Sequence, residues 1–357
     1  MQLIHVSQKN TLAVDYQVPA SFPLTITAEG IFNKTIYGVV VDNINIADQS
    51  DATKFSKFSG VDDRLIYAGK GLINAGKNAP YLTNTTEGYG YIGNITVNAE
   101  PLKGLNVMAA YTRTESKEIS GLPGSDPLST WQGLYTVNGP NFATLQRSQY
   151  VVPDKIIASV DYHLPVLNGQ FGYDMDFGLF YTGMTSSGYS YCYSNDMNGD
   201  GINNDLMYIY PSGKDINWKD ATTADASAKA YDAFVAQDKY LRTHKGQYAE
   251  AYAARAPWVN RFDLRWAHNF TFKAGKQVHL LQFTVDLLNA GNLINSKWGV
   301  YKNSAICNNS RILKYEGVNA SNEPTFSMAT EATTSYDYIV TSSQCWQLQF
   351  GLRYKFN

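Results

Sequence analysis

The hexapeptide Asp196-Met197-Asn198-Gly199-Asp200-Gly201 puts oxygen-bearing side chains at every second position and glycine at the sixth. That is the first half of a calcium loop, in which alternate oxygens turn inward and glycine permits a sharp bend. Asn204 could add a further oxygen, directly or through water. The twelfth position is Met207, which offers no bidentate carboxylate, and Asp205 could replace it only if the loop closes differently. Asp196, Asn198, Asp200, Asn204 and Asp205 are therefore candidate Ca²⁺ ligands. The alternative is an Asx-rich turn held by its own side chains.

Catalytic spacing is not found elsewhere. His5, His163, His244, His268 and His279 are dispersed, and no H-E-x-x-H, nucleophile elbow or phosphate-binding glycine loop is present. Asp174 and Asp176 share one strand face and could exchange protons, but acids on a hydrated face are ordinary. Cys192, Cys307 and Cys345 lack metal-ligand spacing, and their odd number allows one disulfide at most. No catalytic residue is expected, and the chain is read as non-enzymatic.

The elements that would position these residues alternate with period two. In the closing stretch WQLQFGLRYKFN, Trp346, Leu348, Phe350, Leu352, Tyr354 and Phe356 share one parity. Gln347, Gln349, Gly351, Arg353 and Lys355 share the other. In RFDLRWAHNFTF, Phe262, Leu264, Trp266 and Phe270 oppose Arg261, Asp263, Arg265 and Asn269. Successive strand side chains point to opposite faces, so each stretch has a greasy side and a wet side. A soluble sandwich would show the same parity, with a protein core on the greasy side.

Loop lengths discriminate. Short Gly-, Pro-, Asn- or Lys-containing turns (PASF, PLKG, PVLNGQ, KAGK) alternate with long polar insertions, the longest spanning residues 186–256. Strands of about 9–11 residues with turns short on one side and loops long on the other are the pattern of outer-membrane barrels. No apolar run is long enough for a helical span. The 26 tyrosines suit half-apolar, half-wet surfaces. With 17% charged residues and a net charge of -2, no basic surface for nucleic acid is present. One helix is expected between Thr223 and His244, with Ala230, Tyr231, Phe234 and Leu241 on one face.

The expected fold is thus all-β, an antiparallel transmembrane β-barrel with short periplasmic turns, long extracellular loops and one short loop helix, located in the outer membrane of a Gram-negative bacterium. Phe262, Leu264, Trp266, Phe270, Trp346, Leu348, Phe350, Leu352, Tyr354 and Phe356 would face lipid. Arg261, Asp263, Arg265, Asp286, Gln347, Gln349 and Arg353 would line the lumen. Nine strands, the first running toward a short turn, and a start without a secretion signal lead to the expectation of a partial barrel domain over residues 1–357, preceded by further strands.

NDMNGDGINNDLMYIY, followed by DAFVAQDKYLRTHKGQYAEAYAARAPWVNRFDLRW, resembles the C-terminal barrel of TonB-dependent outer-membrane receptors of the Oar-like branch. FTVDLLNAGNLINSKWGVY is similar to the penultimate strand of that family. The resemblance implies a barrel of 22 strands around an N-terminal plug, which contacts the TonB energy-transducing complex. Neither plug nor TonB-contacting segment is recognisable in this sequence. It also implies a terminal aromatic residue read by the barrel-insertion machinery; here Phe356 precedes Asn357. The implied function is uptake of a siderophore, oligosaccharide or peptide, captured by the loops and passed when the plug shifts. The other readings are a surface adhesion barrel, a soluble β-rich binding module, and a small-barrel enzyme with acids, His or Ser clustered at the loop ends.

Overall fold

The computed structural model describes residues 5–186, 188–303, 310–338 and 341–356. Its frame is an 11-stranded antiparallel sheet that does not close, in which nine long strands follow one another in chain order. They are β1 (Val6–Gln17), β2 (Leu24–Asn43), β3 (Gly88–Leu102), β4 (Leu105–Glu118), β5 (Asp154–Leu167), β6 (Phe171–Met184), β7 (Val259–Ala274), β8 (Gln277–Leu288) and β9 (Gln347–Phe356). Two short strands, Pro80–Thr85 and Gln146–Arg147, extend it beside β2 and β4. β1 and β9 form the outer edges.

Tight turns gather at one end. Lys103 and Gly104 alone separate β3 from β4, and Gly104 adopts φ 81°. A Cβ there would sit 2.7 Å from the His163 carbonyl oxygen, so the turn needs glycine. Gly275 (φ 61°) takes the same left-handed conformation between β7 and β8, with open space where its Cβ would be. The long connections all emerge at the opposite end.

Register fixes the faces. Trp266 pairs with Phe177 and Val285, and Val285 with Phe350, so one face carries an unbroken apolar stripe across four strands. This face meets no second layer: Trp266 is 43% exposed and Phe350 63%. Among the buried hydrophobic residues, only Val40, Val41, Val259 and Ala267 belong to long strands. Tyrosines mark both margins of the face. At the loop end the hydroxyls of Tyr91, Tyr111 and Tyr181 donate to Glu115, Asp154 and Asn260. At the turn end Tyr354 meets His279 Nδ1 at 2.6 Å, and Tyr173 meets His268 Nδ1 at 2.6 Å. From Tyr173 to Tyr181 along β6 is about 26 Å at ordinary strand rise.

The buried core lies in the loops. One cluster joins Phe58 with residues of the third and fourth insertions, among them Tyr191, Tyr193, Phe234, Ile312 and Phe326. A second joins Val41, Phe55 and Tyr67 with Trp131 and Ile202. All four insertions thus fold together as a cap. Expectation and structure differ over helix. In place of one helix, the described residues contain α1 (Pro127–Gln132), α2 (Ala224–Gln237), α3 (Lys239–Thr243) and α4 (Ala290–Ile294). The expected Thr223–His244 helix breaks at Asp238, whose carboxylate turns to accept the Leu241 N–H and cap α3. Tyr231, Phe234 and Leu241 are buried as expected, but Ala230 is exposed and Ala228 takes its place under Gly213.

Candidate functional site

Two regions collect the chain's polar chemistry: the wet face of the sheet and the cap above it. On the wet face, the strand register brings residues of distant sequence into rows. Arg261 Nε donates to Asp263 Oδ1 at 2.9 Å, and that oxygen also accepts the Asn289 N–H. Arg265 lies 3.7 Å from Asp286, which pairs in register with Gln349. Gln347 donates to the Ser342 carbonyl, and Arg353 stands opposite Gln282. All seven residues expected to line a lumen therefore share one face.

A second row crosses four strands closer to the tight turns. Asp176 faces His163 across the β5–β6 pair, with Nδ1 and Oδ1 2.7 Å apart. Asn269 Nδ2 donates to both Asp174 and Asp176, at 2.6 and 2.7 Å, and Gln282 donates to Asn269 at 2.8 Å. His163, Asp174 and Asp176 form the one group among the described residues in which three potential metal-ligand atoms lie within 4.8 Å of one another. The sorting of faces is not absolute, because Phe180 and Ile157 also lie on the wet side.

In the cap, the candidate calcium loop is closed by its own hydrogen bonds. The Asp196 carboxylate accepts the Gly199 and Gly201 N–H groups, each at 2.7 Å. Asn198 Oδ1 accepts the Asp200 N–H and Asp200 Oδ1 the Ile202 N–H. Asp205 turns back to the Met197 N–H at 2.8 Å and lies 3.7 Å from Arg64, while Asn204 binds the Gln132 carbonyl and Arg311. This is the geometry of successive Asx turns. Burial, reinforced by neighbouring carboxylates, pushes Asp200 and Asp205 well above the ordinary carboxylate range.

The cap's strongest polar node escaped sequence reasoning. Arg64 is wholly buried and forks onto Asp62 (Nε to Oδ1 2.8 Å, Nη2 to Oδ2 3.0 Å), with Nη2 also donating to the Leu206 carbonyl at 2.8 Å. Its plane lies 4.8 Å from the Tyr193 ring and 5.5 Å from that of Tyr248, and both hydroxyls donate to Asp62. Burial alone would lower the Arg64 pKa; Asp62, Tyr193 and Asp205 outweigh it and hold the guanidinium charged. The only available signal was Asp62 and Arg64 two apart in an extended stretch, which is commonplace. A second bridge joins Glu250 to Lys117 at 3.0 Å and to Arg147 at 3.3 Å. Between these nodes lies a cleft of about 390 Å³, walled by Tyr135, Asn138, Phe142, Gln146, Tyr248 and Glu250.

Of the cysteines, Cys192 is buried and free, Cys345 is partly exposed and free, and Cys307 lies outside the described residues. Asn357 lies outside them as well. The arrangement offers a charged sheet face and a polar cleft, each presenting several hydrogen-bonding groups. Compared with protein-family models, curated proteins and solved structures, the chain matches none.

Proposed function

We propose that this chain is the C-terminal part of the barrel wall of a TonB-dependent outer-membrane transporter, taking up a siderophore, oligosaccharide or peptide. The carrying observation is the apolar face of the sheet. It stays uncovered while the molecule builds its buried core elsewhere, in the loops. Leaving a large aliphatic or aromatic side chain in water forfeits about 1.5–3 kcal/mol of burial each, and contiguous apolar patches of this extent mark interaction surfaces. Hydrocarbon is a partner that requires no second protein layer.

Further features support the reading. The tyrosine rows at both margins correspond to aromatic girdles. Their spacing of about 26 Å along a strand becomes about 20 Å after the tilt of ~40° usual in barrels, near the ~25 Å apolar band. Charged residues of the apolar face, such as Arg113 and Glu115, sit at its loop end and are bonded to neighbours. In this reading the wet face, with Arg261, Arg265, Asp286 and Arg353, borders the lumen and meets the plug. The bare edges of β1 and β9 would pair with the remaining strands. An exposed edge of that length otherwise invites aggregation.

Cell fractionation combined with an uptake assay tests the proposal. The full receptor should reside in the outer membrane, run with heat-modifiable mobility, and lose uptake when the energy-transducing complex is removed. Recovery in a soluble fraction would defeat it. The tight packing of the cap favours a second reading, a surface adhesion barrel, which would bind a ligand without importing it.

A further inference from the structure

A cavity of about 390 Å³ lies where the loop end of β7 meets the fourth insertion. Its inner wall continues the apolar face through Phe262, which shares the parity of Leu264 and Trp266, with Trp258 just before the strand beside it. Its outer wall comes from the fourth insertion, with Trp298 and Tyr338. Both tryptophans remain exposed, Trp258 at 41% and Trp298 at 54%. The adjoining helix α4 leaves Leu293 and Ile294 uncovered too.

Two cations stand at this apolar mouth. Lys302 Nζ lies 4.5 Å from the Tyr338 ring centroid and Lys297 Nζ 5.9 Å. Among the described residues neither ammonium has a carboxylate within ion-pair distance. Asp337, beside Tyr338, pairs in the ladder with Asn303, so strand alternation sends it to the opposite face from Lys302. An apolar cleft crowned by two unpaired ammonium groups at the upper aromatic margin complements a molecule with an acyl chain below and an anion above.

We infer that this cavity is a site for a phosphorylated acyl lipid of the surrounding leaflet, with Lys297 and Lys302 receiving the phosphate and Trp258 and Trp298 flanking the chain. The inference rests on the barrel-wall reading, because only a membrane-embedded sheet brings the cavity level with lipid headgroups. Lysines near a lipid surface each contribute about 1 kcal/mol toward an anionic headgroup, so the pair corresponds to about 30-fold in affinity.

Native mass spectrometry of the full chain, extracted from outer membranes in mild detergent and titrated with lipid A or with phosphatidylcholine, tests this. The wild type should retain lipid A in preference to phosphatidylcholine. The double variant Lys297→Gln/Lys302→Gln should bind lipid A about 30-fold more weakly, and Lys297→Arg/Lys302→Arg should restore most of it. Lys297 is exposed and Lys302 half-buried over the Tyr336 and Tyr338 rings, and an unchanged melting temperature verifies that the cap is folded. Equal retention by wild type and the glutamine variant would overturn the site, as would equal binding of both lipids. Full displacement by inorganic phosphate would overturn the lipid assignment. A chain absent from the membrane fraction would instead overturn the barrel-wall reading, whereas an embedded chain indifferent to these lysines would overturn only the lipid site.

Discussion

Arg64 and Asp62 form a forked pair with both side chains fully buried, Nε to Oδ1 being 2.8 Å. The pair joins the first insertion to the third through Leu206, Tyr193 and Tyr248. Removing one partner of a buried pair leaves an unpaired charge, at a cost of about 3–5 kcal/mol. Arg64→Ala should therefore destabilise the cap by about that amount, seen as a lower denaturant midpoint and faster proteolysis within residues 189–254. Lysine cannot reproduce the fork, so Arg64→Lys should recover little. Wild-type stability in Arg64→Ala would show that the cap is held by its apolar cluster alone.

The Asp196 loop gives a second expectation. Its oxygens already satisfy the backbone amides of Gly199 and Gly201. Chelation of divalent cations should leave the cap's melting temperature unchanged. Asp196→Ala, which removes the acceptor of a part-buried and an exposed amide, should destabilise the cap by about 1 kcal/mol. A clear fall in melting temperature on chelation, reversed by calcium, would assign Asp196, Asn198, Asp200, Asn204 and Asp205 to a bound ion instead.

The thiols should differ in reactivity. Burial pushes Cys192 up to about 12, with Arg311 opposing, so almost no thiolate forms at pH 8. Alkylation followed by peptide mapping should mark Cys345 and spare Cys192 until the chain unfolds. Comparable labelling of both in the folded chain would contradict the buried position.

Substitution across the sheet should depend on parity. An arginine in place of Leu264 would enter the apolar face at mid-strand, where lipid penalises it by about 2–4 kcal/mol. Gln349→Arg on the wet face should be nearly neutral. The measure is the fraction of full receptor assembled in the membrane with heat-modifiable mobility, and equal assembly of both variants would remove the lipid assignment.

The sheet was legible in the sequence because its information is local. Alternation at Phe262, Leu264 and Trp266 assigns faces without knowledge of the neighbouring strand, and short turns such as Lys103–Gly104 fix which strands pair. The cap was not legible, because its contacts join residues far apart: Tyr248 meets Asp62 and Tyr191 meets Ser335. Helix α1 carried a readable signal, Asp126 as N-cap before Pro127, but its six residues are too few for periodicity to register. The break at Asp238 depends on Tyr191 and Ser335, which donate to its carboxylate from elsewhere in the chain. The wet-face residues were found by parity, whereas the His163–Asp176 meeting needed the register of β5 against β6.

The central claim is that the uncovered face meets hydrocarbon and the opposite face meets water. Nitroxide labels placed one at a time from position 261 to 266 on β7 of the full receptor in lipid vesicles test it directly, by relative accessibility to oxygen and to a water-soluble nickel chelate. Labels at 262, 264 and 266 should favour oxygen, and those at 261, 263 and 265 the chelate, with period two. Chelate access at every position, or labels at 264 and 266 shielded from both reagents, would contradict the account.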